Sequence, residues 1–215
     1  NVLINVPYPV VRRDDSIIPV WNLRRYRFLM EDEIPNTCNP KLWEQGKLNM
    51  NCGLYKITST IFQVRGFDLA NMSLVRGKTG FIVIGCLTSK ETAQAALKLV
   101  AQEFPGVPVS AIIITHSHID HYGGVEGVLD SNTVEDIKVY APNGFISAVI
   151  EENINAGVAM SRRAIYMYGE LLPRDKKGQV DCGIGKYASV GSITLSKVEE
   201  IVASDGLEYV ERIID

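Results

Sequence analysis

The 215 residues are 46% hydrophobic and 22% charged, the balance of a globular protein of one domain or one and a half, able to bury a sizeable core. A net charge of -3 gives no basic surface for nucleic acid, and no apolar stretch approaches the roughly 18 residues of a membrane span. Cys38, Cys52, Cys86 and Cys182 are too scattered for a disulfide framework or a CxxC metal pair and read as free thiols.

Residues 1–53 carry Pro7, Pro9, Pro19, Pro35 and Pro40, the acidic run Glu31-Asp32-Glu33 and little periodicity. They are expected as an extension wrapped on a domain formed by residues 54–215. Leu54 to Ile57, Ile61 to Val64, Met72 to Val75 and Gly80 to Ile84 read as short strands, parted by Gly66, Asn71 and Gly77 as in antiparallel hairpins. A helix is expected over Glu91 to Phe104, capped by Thr88 or Ser89 and ended by Pro105. Val109 to Ile114 is continuously apolar and fits a strand buried on both faces. Further on, the pattern predicts a helix from Gly124 to Leu129, a strand over Ile137 to Tyr140 and a helix over Ile146 to Tyr168. A glycine-rich loop over Leu171 to Gly185 and a strand over Ser192 to Leu195 complete the series.

Between the apolar strand and the next helix stands Thr115-His116-Ser117-His118-Ile119-Asp120-His121-Tyr122-Gly123-Gly124, which holds all 3 histidines of the chain. His116 and His118 lie two apart, so on an extended turn both rings can grip one ion. Asp120 and His121 face another way and suit a second ion a few Å distant, while the glycines admit a tight turn. Imidazoles with a carboxylate suit Zn²⁺, with Fe or Mn left open. The alternative, histidines merely hydrogen-bonded in a loop, fits three clustered imidazoles poorly.

A strand followed by HxHxDH and Gly-Gly resembles the signature of the metallo-β-lactamase superfamily. Its flanks resemble the alkyl sulfatases of that fold, the type III enzymes that degrade dodecyl sulfate. The similar stretches are Asn39 to Trp43, Ile61 to Met72, Leu87 to Ser89, Met160 to Gly169, Leu171 to Arg174 and Gly178 to Asp181. The resemblance implies an α/β (α+β) fold, the αββα sandwich, of which this chain would hold the first half plus its N-terminal extension. It implies two Zn²⁺ ions that activate a water to release sulfate and an alcohol from an alkyl sulfate ester. His116 and His118 would hold one ion and Asp120 and His121 the other, with Asp120 and His121 carrying the catalytic roles. Arg162, Tyr166 and Tyr168 would bind substrate, although residues two apart in a helix cannot share a face, so at least one tyrosine is expected in the core.

Two departures accompany the resemblance. In the family, the strand before the segment matching Leu87-Thr88-Ser89 ends in an aspartate supporting the metal loop, whereas Gly85-Cys86 stand here. Cys86 and Asn71 are the candidates for that support. The remaining glutamate and histidine ligands of the family would lie beyond Asp215, as would its dimerisation domain. Glu199, Glu200, Asp205, Glu208 and Glu211 are available as substitutes without a spacing that favours any. An N-terminal portion of a homodimeric sulfatase is therefore expected, with apolar sheet surface left exposed. The compartment is not legible; family analogy points to a secreted or periplasmic enzyme. Two other readings stand beside it: a truncated metal-binding relic or interaction piece, and another hydrolase of the fold such as a thioesterase.

Overall fold

The computed structural model describes residues 1–14, 16–31, 33–132 and 137–201. Alternating apolar positions build a sheet of eight strands: β1 (Val2–Asn5), β4 (Gly53–Lys56), β5 (Ile61–Arg65), β6 (Met72–Arg76), β7 (Phe81–Ile84), β8 (Val109–Ile113), β9 (Lys138–Pro142) and β10 (Glu199–Ile201), adjacent in that order. Pairing is antiparallel from β1 to β7 and parallel from β7 to β10. A separate hairpin pairs β2 (Val10–Arg12) with β3 (Pro19–Asn22).

One face of the sheet carries Phe62, Val64, Leu74, Val83, Ile112 and Val139, all buried. Helix α2 (Lys90–Glu103) covers it through Ala93, Ala96, Leu99 and Val100. The rings of Phe62, Phe81 and Phe104 close the contact edge to face, with centroids 4.7 to 6.0 Å apart. The opposite face carries Ile61, Val75, Ile82, Ile84, Ile113 and Tyr140, each only half-buried. This is the partly exposed apolar sheet surface expected from the sequence, and β8 is accordingly not sealed on both sides.

Residues 1–53 are more structured than their prolines indicated. β1 extends the main sheet by pairing with β4, a 3-10 helix spans Leu23–Met30, and α1 (Pro40–Leu48) starts at Pro40 with Asn39 Oδ1 accepting from Lys41 N at 2.9 Å. Ser89 sits at the cap position of α2, yet its hydroxyl does not cap. It bonds instead to Ser189 Oγ at 2.7 Å and Thr92 Oγ1 at 3.0 Å. The strand expected at Ser192 to Leu195 is absent: the segment has no ladder partner, and Ser192 is engaged by Glu91, its N–H donating to Oε2 at 2.8 Å. Among the described residues no helix is long and apolar enough to cross a membrane.

Candidate metal centre

Strand β8 delivers the chain to the rim of the sheet, where Ile114 N makes a last 2.8 Å bond to Tyr140 O. His116 to His118 then form an extended turn, and Asp120 and His121 lie on the single turn of α3 (Ile119–Tyr122). Tyr122 anchors that turn from below, buried edge-on against Phe145 at 5.3 Å. Helix α4 (Val125–Asp130) follows after Gly123-Gly124.

The two glycines are required by close packing rather than by backbone freedom, since both have negative φ. A Cβ on Gly123 would lie 2.1 Å from Thr88 O, and one on Gly124 would lie 2.1 Å from Cys86 O. The histidine loop is thereby pressed onto the Cys86–Ser89 loop, and Cys86 N donates to His121 O at 2.8 Å. The second loop holds a left-handed Leu87, φ 65°, a strained conformation for a bulky residue and one fixed by its burial.

Three imidazoles cluster at this rim. The ring of His116 lies 4.6 Å from that of His118 and 4.3 Å from that of His121, so His116 is central. Asp120 Oδ2 is 3.3 Å from His121 Nε2, and Thr115 Oγ1 is 2.9 Å from His116 Nδ1, leaving Nε2 of His116 for the site. Partial burial lowers the pKa of His116, reinforced by His121 and His118 and opposed by Asp120 and Glu152. A neutral imidazole is the form that binds metal.

In kind, imidazole nitrogens with carboxylate oxygens fit a Zn²⁺ ion. In number they fall short, because among the described residues no three His, Cys, Asp or Glu side chains converge as a metal site. Glu199 is exposed in β10. The side chain of Glu200 and all of Asp205, Glu208 and Glu211 lie outside the described residues.

The two candidate supports differ. Cys86 is fully buried, and burial pushes its thiol up to about 12, so it supplies no thiolate to the site. Gly85 is the position that faces the cluster: with φ 75°, its Cβ would lie 3.4 Å from Asn71 O and 3.8 Å from His121 Nδ1. Asn71 itself is exposed, in the wall of a neighbouring cavity of about 390 Å³ shared with Arg65, Gly185 and Lys186.

Helix α6 (Gly157–Tyr168) borders the cluster across a groove of about 380 Å³ and presents Gly157, Met160, Ser161 and Ala164 to it. Arg162 and Tyr166 stand outside that groove, with Tyr166 94% exposed. Tyr168 is half-buried, one turn beyond Ala164. Neither tyrosine is in the core, because α6 has no buried residue at all.

Residues 65–206 match the family model described as Metallo-beta-lactamase superfamily. The chain belongs to the metallo-beta-lactamase superfamily. It is 47% identical over 194 residues to a linear primary-alkylsulfatase from Pseudomonas sp, a match that covers 89% of this chain and 29% of that protein. An alkyl/aryl-sulfatase from Saccharomyces cerevisiae is 46% identical over 200 residues, 89% of this chain and 31% of that one. Among solved structures, a double mutant of the sec-alkyl sulfatase PisA1 superposes with a TM-score of 0.82 at 37% identity over 94% of this chain and 32% of that one. The chain thus spans about a third or less of the length of these relatives.

One residue beside the histidine cluster escaped the sequence reading. Glu152, far from the motif, reaches back to it: its Oε1 lies 3.2 Å from His118 Nε2, and its Oε2 accepts from Ser117 Oγ at 3.1 Å. The signal available was its place in a run expected to be helical, which gave no reason to aim it at His118.

Proposed function

We propose that this chain carries part of the metal centre of an alkyl sulfatase, which cleaves an alkyl sulfate ester to sulfate and an alcohol. The observation that supports this most is the packing of His116, His118, Asp120 and His121 at one rim, in a chain 47% identical to a linear primary-alkylsulfatase over 89% of its length. His116 and His118 would hold one Zn²⁺ and Asp120 and His121 a second. Bound there, zinc supplies Lewis-acid charge and lowers the pKa of a coordinated water towards neutrality. The chain's own share is to gather His116, His118 and His121 at one rim and to hold Asp120 beside His121. That groove has an apolar wall of Ile119, Met160 and Ala164, which suits the hydrocarbon tail of an alkyl ester. Arg162, Tyr166 and Tyr168 of α6 would act on substrate through contacts made in the longer protein. The relatives are about three times as long as this chain, and we assign the missing ligands and a homodimer contact to such a longer protein.

A second reading, a metal-poor relic that serves as an interaction piece, draws on the absence of three converging ligands among the described residues. Zinc titration of the full-length protein separates the two. About two tightly held Zn²⁺ per chain together with sulfate release from dodecyl sulfate supports the enzyme; no retained zinc supports the relic. Faster cleavage of a thioester than of any sulfate ester would replace the substrate class while keeping the metal centre.

A further inference from the structure

Glu152 lies in the π-helical segment Glu151–Asn155, between α5 (Phe145–Ile150) and α6. Such widened turns recur at functional sites. Of these five residues, Glu152 alone is drawn off the surface, its side chain 23% exposed. Both of its carboxylate oxygens are spent on the metal turn, one at His118 Nε2 and the other at Ser117 Oγ, 35 residues earlier in the chain. No cation from elsewhere contacts it among the described residues.

A neutral imidazole has one N–H and one lone pair, and what holds the N–H decides which nitrogen can bind metal. At His116 the Nδ1 side is taken by Thr115 Oγ1, leaving Nε2. At His118 the arrangement is reversed: Nε2 lies 3.2 Å from Oε1 of Glu152, and Nδ1 is left. We infer that Glu152 is a positioning residue of the metal centre: its carboxylate accepts the Nε2–H of His118, fixes that tautomer, and turns Nδ1 towards the ion. Ser117 holds the other oxygen of Glu152 and so sets the angle of the carboxylate. The inference rests on the metal reading above. Carboxylate partners of this kind raise ligand basicity, and losing one typically weakens metal binding by about 10- to 100-fold.

Two measurements on the 215-residue chain test it. Side-chain nitrogen shifts of ¹⁵N-labelled histidine report the tautomer of His118 without metal, and competition with a chelator reports zinc affinity. The wild type is expected to show the Nε2–H form, and Glu152→Ala a mixture of tautomers with zinc bound about 10- to 100-fold more weakly. Glu152→Gln keeps an acceptor oxygen and is expected to restore the tautomer and part of the affinity, the rest being lost with the carboxylate charge that raises ligand basicity. Unchanged tautomer and affinity in Glu152→Ala would overturn the inference. So would Glu152→Gln that keeps the tautomer yet binds zinc as weakly as Glu152→Ala, because that marks a direct ligand. If the 215-residue chain binds no zinc on its own, the tautomer comparison decides alone: loss of the Nε2–H form in Glu152→Ala supports the inference and its retention overturns it, while the metal reading is tested separately on the full-length protein.

Discussion

Asp68 and Ser189 meet twice, Ser189 N donating to Asp68 Oδ1 at 2.9 Å and Ser189 Oγ to Oδ2 at 2.6 Å, across 121 residues of chain. The same buried carboxylate accepts from Leu69 N, Thr88 N, Thr88 Oγ1 and Thr92 Oγ1. Asp68 thus ties the β5–β6 loop, the loop before α2 and the segment around Ser189 into one knot, and Thr88 of that knot packs against Gly123 of the histidine turn. Asp68→Ala strands several buried donors, each costing about 1 to 3 kcal/mol. A loss of at least about 3 kcal/mol in urea unfolding is expected. A loss under about 1 kcal/mol would mean that the knot is not what holds these loops.

Lys186 and Asp181 form a second buried tie, with Nζ to Oδ2 at 2.8 Å and side-chain exposures of 1% and 0%. Lys186 Nζ also donates to Gly46 O at 2.7 Å, which links the 171–191 segment to α1. Burial lowers the Lys186 pKa, with Asp181 opposing. Lys186→Met leaves Asp181 charged and buried, a change worth about 3 to 5 kcal/mol. The figure falls at the lower end here, because Asn49 Nδ2 and Gly183 N still donate to that carboxylate. The double variant Lys186→Met, Asp181→Asn should recover part of the loss in the same unfolding experiment; a double variant worse than the single one contradicts this.

Glu91 sets a pH dependence. Burial alone would raise its pKa, but Ser192 N at 2.8 Å, Arg13 Nε at 2.9 Å and Ser192 Oγ at 3.0 Å outweigh it, and the pKa is lowered from the usual 4.5. A lowered folded-state value means that the stabilisation is complete above 4.5 and is lost as pH falls below it towards the folded pKa. Unfolding midpoints measured from pH 6 down to pH 3 should therefore fall less steeply for Glu91→Gln than for the wild type. Parallel acid limbs would show that Glu91 is not a source of the slope.

Gly85 offers a gain rather than a loss. Its Cβ direction meets only ordinary contacts and points within 3.8 Å of His121 Nδ1, so Gly85→Asp places a carboxylate where that nitrogen can be held. Zinc affinity should rise by about 10-fold or more. Stability should drop by about 1 kcal/mol for a side chain at φ 75°. Chelator competition on the two proteins reads the first effect, and equal affinities would remove Gly85 from the account of the centre.

How much of this was visible in the sequence follows the range of the interactions. Ile61–Arg65, Met72–Arg76 and Phe81–Ile84 pair with near neighbours in the chain and show their alternation locally. Helix α2 likewise shows its apolar stripe. Val2–Asn5 becomes a strand only because Tyr55, Leu54 and Gly53 lie beside it, which no local pattern reveals. Ser192 to Leu195 has the residues of a strand, but Ser192 is bonded to Glu91 and the segment pairs with no strand among the described residues. The histidine motif was legible because its donors fall within six residues of one another. Glu152 was not, because a π-helical interruption within the expected helix turns it onto Ser117 and His118.

The central claim is that His116, His118, Asp120 and His121 serve a zinc-dependent alkyl sulfatase. Sulfate released from dodecyl sulfate by the zinc-loaded protein, in its full natural length, tests it most directly. Steady release is expected that stops on chelation, returns with added zinc and is absent in His116→Ala. Intact dodecyl sulfate after incubation with a protein shown to hold its zinc would contradict it.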